Sequence, residues 1–106
     1  MTETPNLNYI NDLAAGSQEF KDKLIGIVKR EFPDEKEVFL ENFDKKNYIK
    51  AAENVHKLKH KVGMMGFVDG YQVTVDFEEE LRKGESEGYS KFMCILESIE
   101  QFLKTI

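Results

Sequence analysis

The 106-residue chain has one cysteine, two prolines, no tryptophan, and no apolar stretch near the length of a membrane span. Each shortage excludes something. A single thiol, Cys94, cannot form an internal disulfide. Set among Phe92, Met93, Ile95 and Leu96, it reads as a small buried hydrophobe. A spanning helix needs about 20 consecutive apolar residues, and the residues after Met1 show no signal-peptide pattern. A cytoplasmic protein is therefore the expectation. With two prolines and no low-complexity tract, no interdomain linker is visible, so residues 1–106 read as one domain, with 1–6 frayed. Positive charge is also short. A net charge of −5 argues against general nucleic-acid binding. The chain has no Gly-rich phosphate loop, no nucleophile elbow around a serine and no ATP-binding signature.

What the chain does have is helical periodicity. Leu7 to Leu13 reads as a short helix broken by Ala15-Gly16. Ser17 is a good N-cap, because its hydroxyl can accept an orphan backbone N–H. Phe20, Leu24, Ile27 and Val28 begin an apolar stripe that Val38, Phe39 and Phe43 continue to about Asp44, with Pro33 kinking that helix or starting a new one. Asn47 is placed to cap a third helix. Its seam Tyr48, Ala51, Val55, Leu58, Val62, Met65 is spaced 3, 4, 3, 4, 3 and closes at Gly66. Tyr71 to Val75 has strand propensity. Yet Gly70, Val73/Thr74, Phe77 and Leu81 keep helical spacing and no second strand exists to pair with, so the segment reads as helix ending near Gly84. Tyr89, Phe92, Leu96, Ile99, Leu103 and Ile106 form the last helix. Short connections imply antiparallel neighbours. The expected fold is all-α, an antiparallel up-down four-helix bundle with a short additional N-terminal helix over one end.

Both histidines fall in His56-Lys57-Leu58-Lys59-His60, on the third helix. At about 100° per residue, His56 lies roughly 135° from the buried direction, His60 almost opposite it, and Lys59 roughly 75° away at the edge of the core. Both histidines should be exposed, with the Lys59 stem packed and its ammonium wet. Gly63 lies two turns beyond His56 and leaves open space on that side. Lys45, Lys46, Lys50, Lys57, Lys59 and Lys61 place six of the fifteen basic residues in one seventeen-residue window. That is a basic docking face for an acidic or phosphorylated partner, or a solvated helix face. His56 and His60, at i and i+4, share a face as zinc ligands do. However, the glutamate of the HExxH pattern is missing and no third ligand is evident, so no metal is expected.

His56-Lys57-Leu58-Lys59, with Gly66 ten residues after the histidine, resembles the histidine-containing phosphotransfer (HPt) domain, whose motif reads His-x-Leu-Lys-Gly followed by small residues and a glycine. Phe32-Pro33 resembles the family's proline in the long second helix. Asn47 stands where the family has an aspartate, Phe77-Glu78 resembles its Leu-Glu pair, and Gly84 its closing glycine. The resemblance covers residues 7 to 104. The chain departs from the pattern at His60, where the family has glycine, and at Lys61, where serine is common. The His60 imidazole either crowds a phosphoryl group on His56 or donates a hydrogen bond to it.

The resemblance implies that His56 accepts a phosphoryl group from a receiver-domain aspartate and passes it to the aspartate of a response regulator. The protein is then a stoichiometric carrier, not an autokinase. Lys59 is the residue expected to pair with the phosphoryl oxygens, and Lys57, His60, Lys61 and Gly63 are expected to form the surrounding binding surface. No cofactor is expected on this chain. Mg²⁺ is expected in the partner's acidic pocket, because no carboxylate cluster is seen near His56. The implied partners are receiver domains of a hybrid histidine kinase and of a response regulator, met by a monomer without nucleic acid or membrane. An imidazole attacks only when neutral, and Lys57, Lys59 and Lys61 are expected to favour that form by like-charge repulsion. A second class stays open: a helical adaptor that binds receivers or another partner without being phosphorylated.

Overall fold

Among the described residues, 3–106 of a computed structural model, every regular element is a helix: α1 (Asn8–Ala14), α2 (Gln18–Asp44), α3 (Tyr48–Met64), α4 (Asp69–Arg82) and α5 (Tyr89–Leu103). No helix there is long and apolar enough to cross a membrane.

α2 sets the long dimension. At 1.5 Å per residue its 27 residues span about 40 Å, against a longest extent of 43 Å for the chain. Ser17 caps it, its hydroxyl accepting the Phe20 N–H at 3.2 Å. The helix does not restart at Pro33. The ring forfeits one backbone donor, but Val28, Phe32 and Phe39 stay buried on one side of it and hold α2 continuous. Phe20 and Val38, read as part of the apolar stripe, are exposed instead. Asn47 sits at the N-cap of α3 but makes no side-chain capping bond there.

α3 lies at the centre, packed against α2 and α4, and α5 closes on α4, α2 and α3. Ala51, Val55, Leu58, Val62 and Met65 are fully buried. Gly70, Thr74, Phe77 and Leu81 form the inward face of α4, so burial decides for helix over the strand propensity of Tyr71 to Val75. The buried Thr74 hydroxyl donates to the Gly70 carbonyl one turn back. Cys94 is exposed, contrary to the expectation that it is buried. Phe92, Ile95, Leu96 and Ile99 take the inward face of α5, and position 94 lies about 200° from Phe92, on the outside.

The N-terminal segment is anchored from Glu3 onward, not frayed to residue 6. Met1 and Thr2 lie outside the described residues. The Asn6 N–H donates to the Met65 carbonyl. Gly66 turns the chain there with φ +85, and a methyl at Gly66 would collide with the Asn6 amide, so glycine is required twice over. Val68 offers α4 no side-chain cap. The Glu3 carboxylate does so instead, accepting the N–H groups of Val68 (2.7 Å), Asp69 (3.2 Å) and Gly70 (2.8 Å).

Burial pushes the Glu3 carboxyl up, but the donors from Val68, Gly70 and Asp69 outweigh it and hold the group below the usual carboxylate range. We expect Glu3→Ala to cost about 1 kcal/mol at pH 7 in urea unfolding. With its folded value lowered, Glu3 contributes in full above its unfolded value of about 4.3. The contribution fades as pH falls through the folded value, so acidification should close the gap between variant and wild type.

Candidate functional site

His56 stands on the exposed side of α3 with 53% of its side chain accessible. Leu58 and Val55 anchor the helix in the core on the other side, so the orientation of His56 follows from the seam. Facing it from α4 is Glu78, which the sequence marks only as part of the Phe77-Glu78 pair and does not place at the site. His56 Nδ1 lies 3.2 Å from Glu78 Oε1 and 3.3 Å from Oε2. Lys59 donates to Glu78 Oε1 at 3.3 Å, and Arg82 donates to Oε2 at 3.0 Å.

Burial raises the Glu78 carboxyl, but hydrogen bonds from Arg82, Lys59 and His56 outweigh burial and hold it below the usual carboxylate range. It is therefore an anion at neutral pH and can only accept. A ring nitrogen that close to an anionic acceptor carries a proton, so the neutral form of His56 is the Nδ1–H tautomer, with its lone pair on Nε2. Lys59 Nζ also lies 3.3 Å from His56 Nδ1, but with Nδ1 protonated its hydrogen goes to Glu78.

The basic surface is smaller than the sequence suggests. Lys59 is half-buried against the core edge, and its ammonium is paired with Glu78 rather than free in water. Lys61 is buried, with Nζ 3.0 Å from Glu31 and 3.1 Å from Glu35 of α2. Burial alone would lower the Lys61 ammonium, but the two glutamates more than offset this and raise it. Lys61 therefore ties α3 to α2 and is absent from the docking surface expected of it. With Lys59 and Lys61 both paired, the unbalanced positive charge expected around His56 is reduced to Lys57, which is exposed.

His60 is exposed one turn from His56, the two rings 5.6 Å apart between centroids and nearly perpendicular at 88°. Gly63 does not open onto empty space, since the Tyr71 ring lies over it, 3.4 Å from where a Cβ would sit. Tyr9, Leu13, His60, Gly63, Met64 and Tyr71 line an open groove of about 440 Å³ beside the histidines. Among the described residues no cluster of three or more His, Cys, Asp or Glu converges as a metal centre.

Chemically, the arrangement leaves Nε2 of His56 open on the exposed side of α3, with a carboxylate behind the ring and an ammonium at its side. The signal for Glu78 was there to be read: it adjoins Phe77 on the buried face of α4, a position where a carboxylate needs a partner. Comparison with protein-family models, curated proteins and solved structures finds no match.

Proposed function

We propose that this chain is a histidine phosphotransfer protein of a cytoplasmic two-component phosphorelay, with α2 to α5 as its four-helix bundle and His56 as the phosphoryl acceptor. One observation carries the reading: an exposed imidazole held by a carboxylate at Nδ1, with Nε2 free. Nε2 attacks the phosphorus of an aspartyl phosphate on a receiver domain. The N–P bond forms, the P–O bond to the aspartate breaks, and the aspartate leaves as a carboxylate. The ring becomes cationic as it takes the phosphoryl group, and the Glu78 carboxylate stabilises the charge that develops on it. The return step to a second receiver retraces this path. Mg²⁺ is supplied by the receiver's acidic pocket, and the groove of Tyr9, Leu13 and Tyr71 provides apolar contact beside the site. The test is incubation with a Mg²⁺-loaded, phosphorylated receiver domain. Acid-labile, base-stable label on this chain supports the carrier, and label from ATP alone would contradict it.

Lys59 lies within reach of the phosphoryl oxygens on His56. A unit charge pair at 4 Å is worth about 1 kcal/mol in water and about 4 kcal/mol at an effective dielectric of 20. Because Glu78 already shares the ammonium, the lower figure governs. Lys59→Ala is expected to slow single-turnover transfer about fivefold without abolishing it. A loss as complete as that of the histidine itself would make Lys59 indispensable and overturn this assignment.

A further inference from the structure

The two histidines share more than a helix face. His56 Nδ1 faces Glu78 at 3.2 Å, which leaves Nε2 as the open nitrogen. An imidazole backed by a carboxylate on one nitrogen and open on the other has the outer shell of a metal-ligating histidine: the carboxylate fixes the tautomer and raises the basicity of the free nitrogen. His60 follows at i+4, the spacing that brings two helical imidazoles onto one ion. Both side chains are exposed and their rings already approach to 5.6 Å. The sequence offers no evident third ligand for a metal, and none converges among the described residues. An open site with two nitrogens completed by water does not need one.

We propose that His56 and His60 together bind a late first-row divalent ion such as Zn²⁺, one ring nitrogen from each, with Glu78 as the outer-shell partner of His56. Imidazole nitrogen suits Zn²⁺, Ni²⁺ and Cu²⁺, whereas Mg²⁺ takes oxygen ligands, so Mg²⁺ does not displace the ion. The ion uses the lone pair that would attack phosphorus. On the phosphocarrier reading, metal and phosphoryl group therefore exclude each other at His56 Nε2, and a transition metal holds the carrier off.

The site is tested by calorimetric titration of the full chain with Zn²⁺ at pH 7 in a buffer without phosphate, with no phosphoryl donor present. One ion per chain is expected. His56→Gln and His60→Gln should each weaken binding at least tenfold, and Glu78→Gln should weaken it by about 10–100-fold. Circular dichroism checks that each variant remains helical. Nitrogen-15 spectra of the imidazoles should show Zn²⁺ perturbing both rings. Wild type binding no more tightly than the His56→Gln/His60→Gln double variant, or zinc perturbing neither ring, would overturn the site. For the exclusion, Zn²⁺ should slow labelling of the wild type and leave the His60→Gln rate at its own zinc-free value. Equal slowing of both would place the zinc effect on the receiver and overturn the exclusion.

Discussion

His56→Gln is expected to take up no label from a phosphorylated receiver domain, and His60→Gln is expected still to be labelled. The difference lies in what stands behind each ring. His56 has Glu78 at Nδ1, so its reactive nitrogen is fixed in tautomer and direction. Among the described residues His60 has no carboxylate at either ring nitrogen, and its ring stands nearly perpendicular to that of His56. Glutamine at 56 retains a polar side chain of similar reach but has no nitrogen lone pair able to attack phosphorus, since the amide nitrogen's is delocalised. The chemistry is removed with little disturbance of an exposed position. Label lost with His60→Gln but not His56→Gln would keep the carrier and move its site one turn along α3. Label on neither wild type nor variants, across several receivers, would favour the adaptor, for which the buried seam of α3 and the groove beside it matter and the Nε2 lone pair does not.

The helices were legible where one physical rule governed them. The seam of α3 needed only the 3.6-residue period, and its residues from Ala51 to Met65 are fully buried, while Tyr48 at its start is half-buried. The period also placed His56 and His60 outward. What it could not supply was the partner across the gap. A wheel drawn for one helix says which way a side chain leaves that helix, not what the next helix brings to meet it. Glu78 is 22 residues from His56, and its approach depends on the turn at Gly66 and on the docking of α4. Lys61 was misjudged for the same reason. It sits one residue from the buried Val62, where the neutralising glutamates of α2 make burial tolerable. Cys94 failed differently: apolar neighbours in sequence were taken for apolar neighbours in space, and on a helix position i+2 points away from i. Glu3, sixty-five residues before the helix it caps, carries no local signal for that role at all.

Phe39→Ala is expected to be the most damaging core substitution. Phe39 is fully buried on α2, and its ring meets four others: Phe92 at 5.2 Å, Phe43 at 5.7 Å, Phe77 at 6.1 Å and Tyr89 at 6.4 Å. These rings come from α2, α4 and α5, so the aromatic cluster ties together helices that are distant in sequence. Truncating a buried phenylalanine costs about 3–5 kcal/mol through lost transfer energy and the cavity left behind. At about 4 °C or more per kcal/mol for a chain of this size, the melting temperature should fall by roughly 12 °C or more. Val38→Ala, one residue away but exposed, should change stability by no more than about 0.5 kcal/mol. A fall below about 5 °C for Phe39→Ala would mean that the surrounding rings collapse into the void. The substitution also reaches the site, because Phe77, which rests edge-on against Phe39, is the residue before Glu78. Loosening Phe77 lets α4 shift and moves the carboxylate away from His56 Nδ1. At a temperature where the variant is still folded, its labelling rate should therefore fall below that of wild type although His56, Lys59 and Glu78 are all intact. An unchanged rate would show that the carboxylate is held by Arg82 and Lys59 alone, independently of the core beneath it.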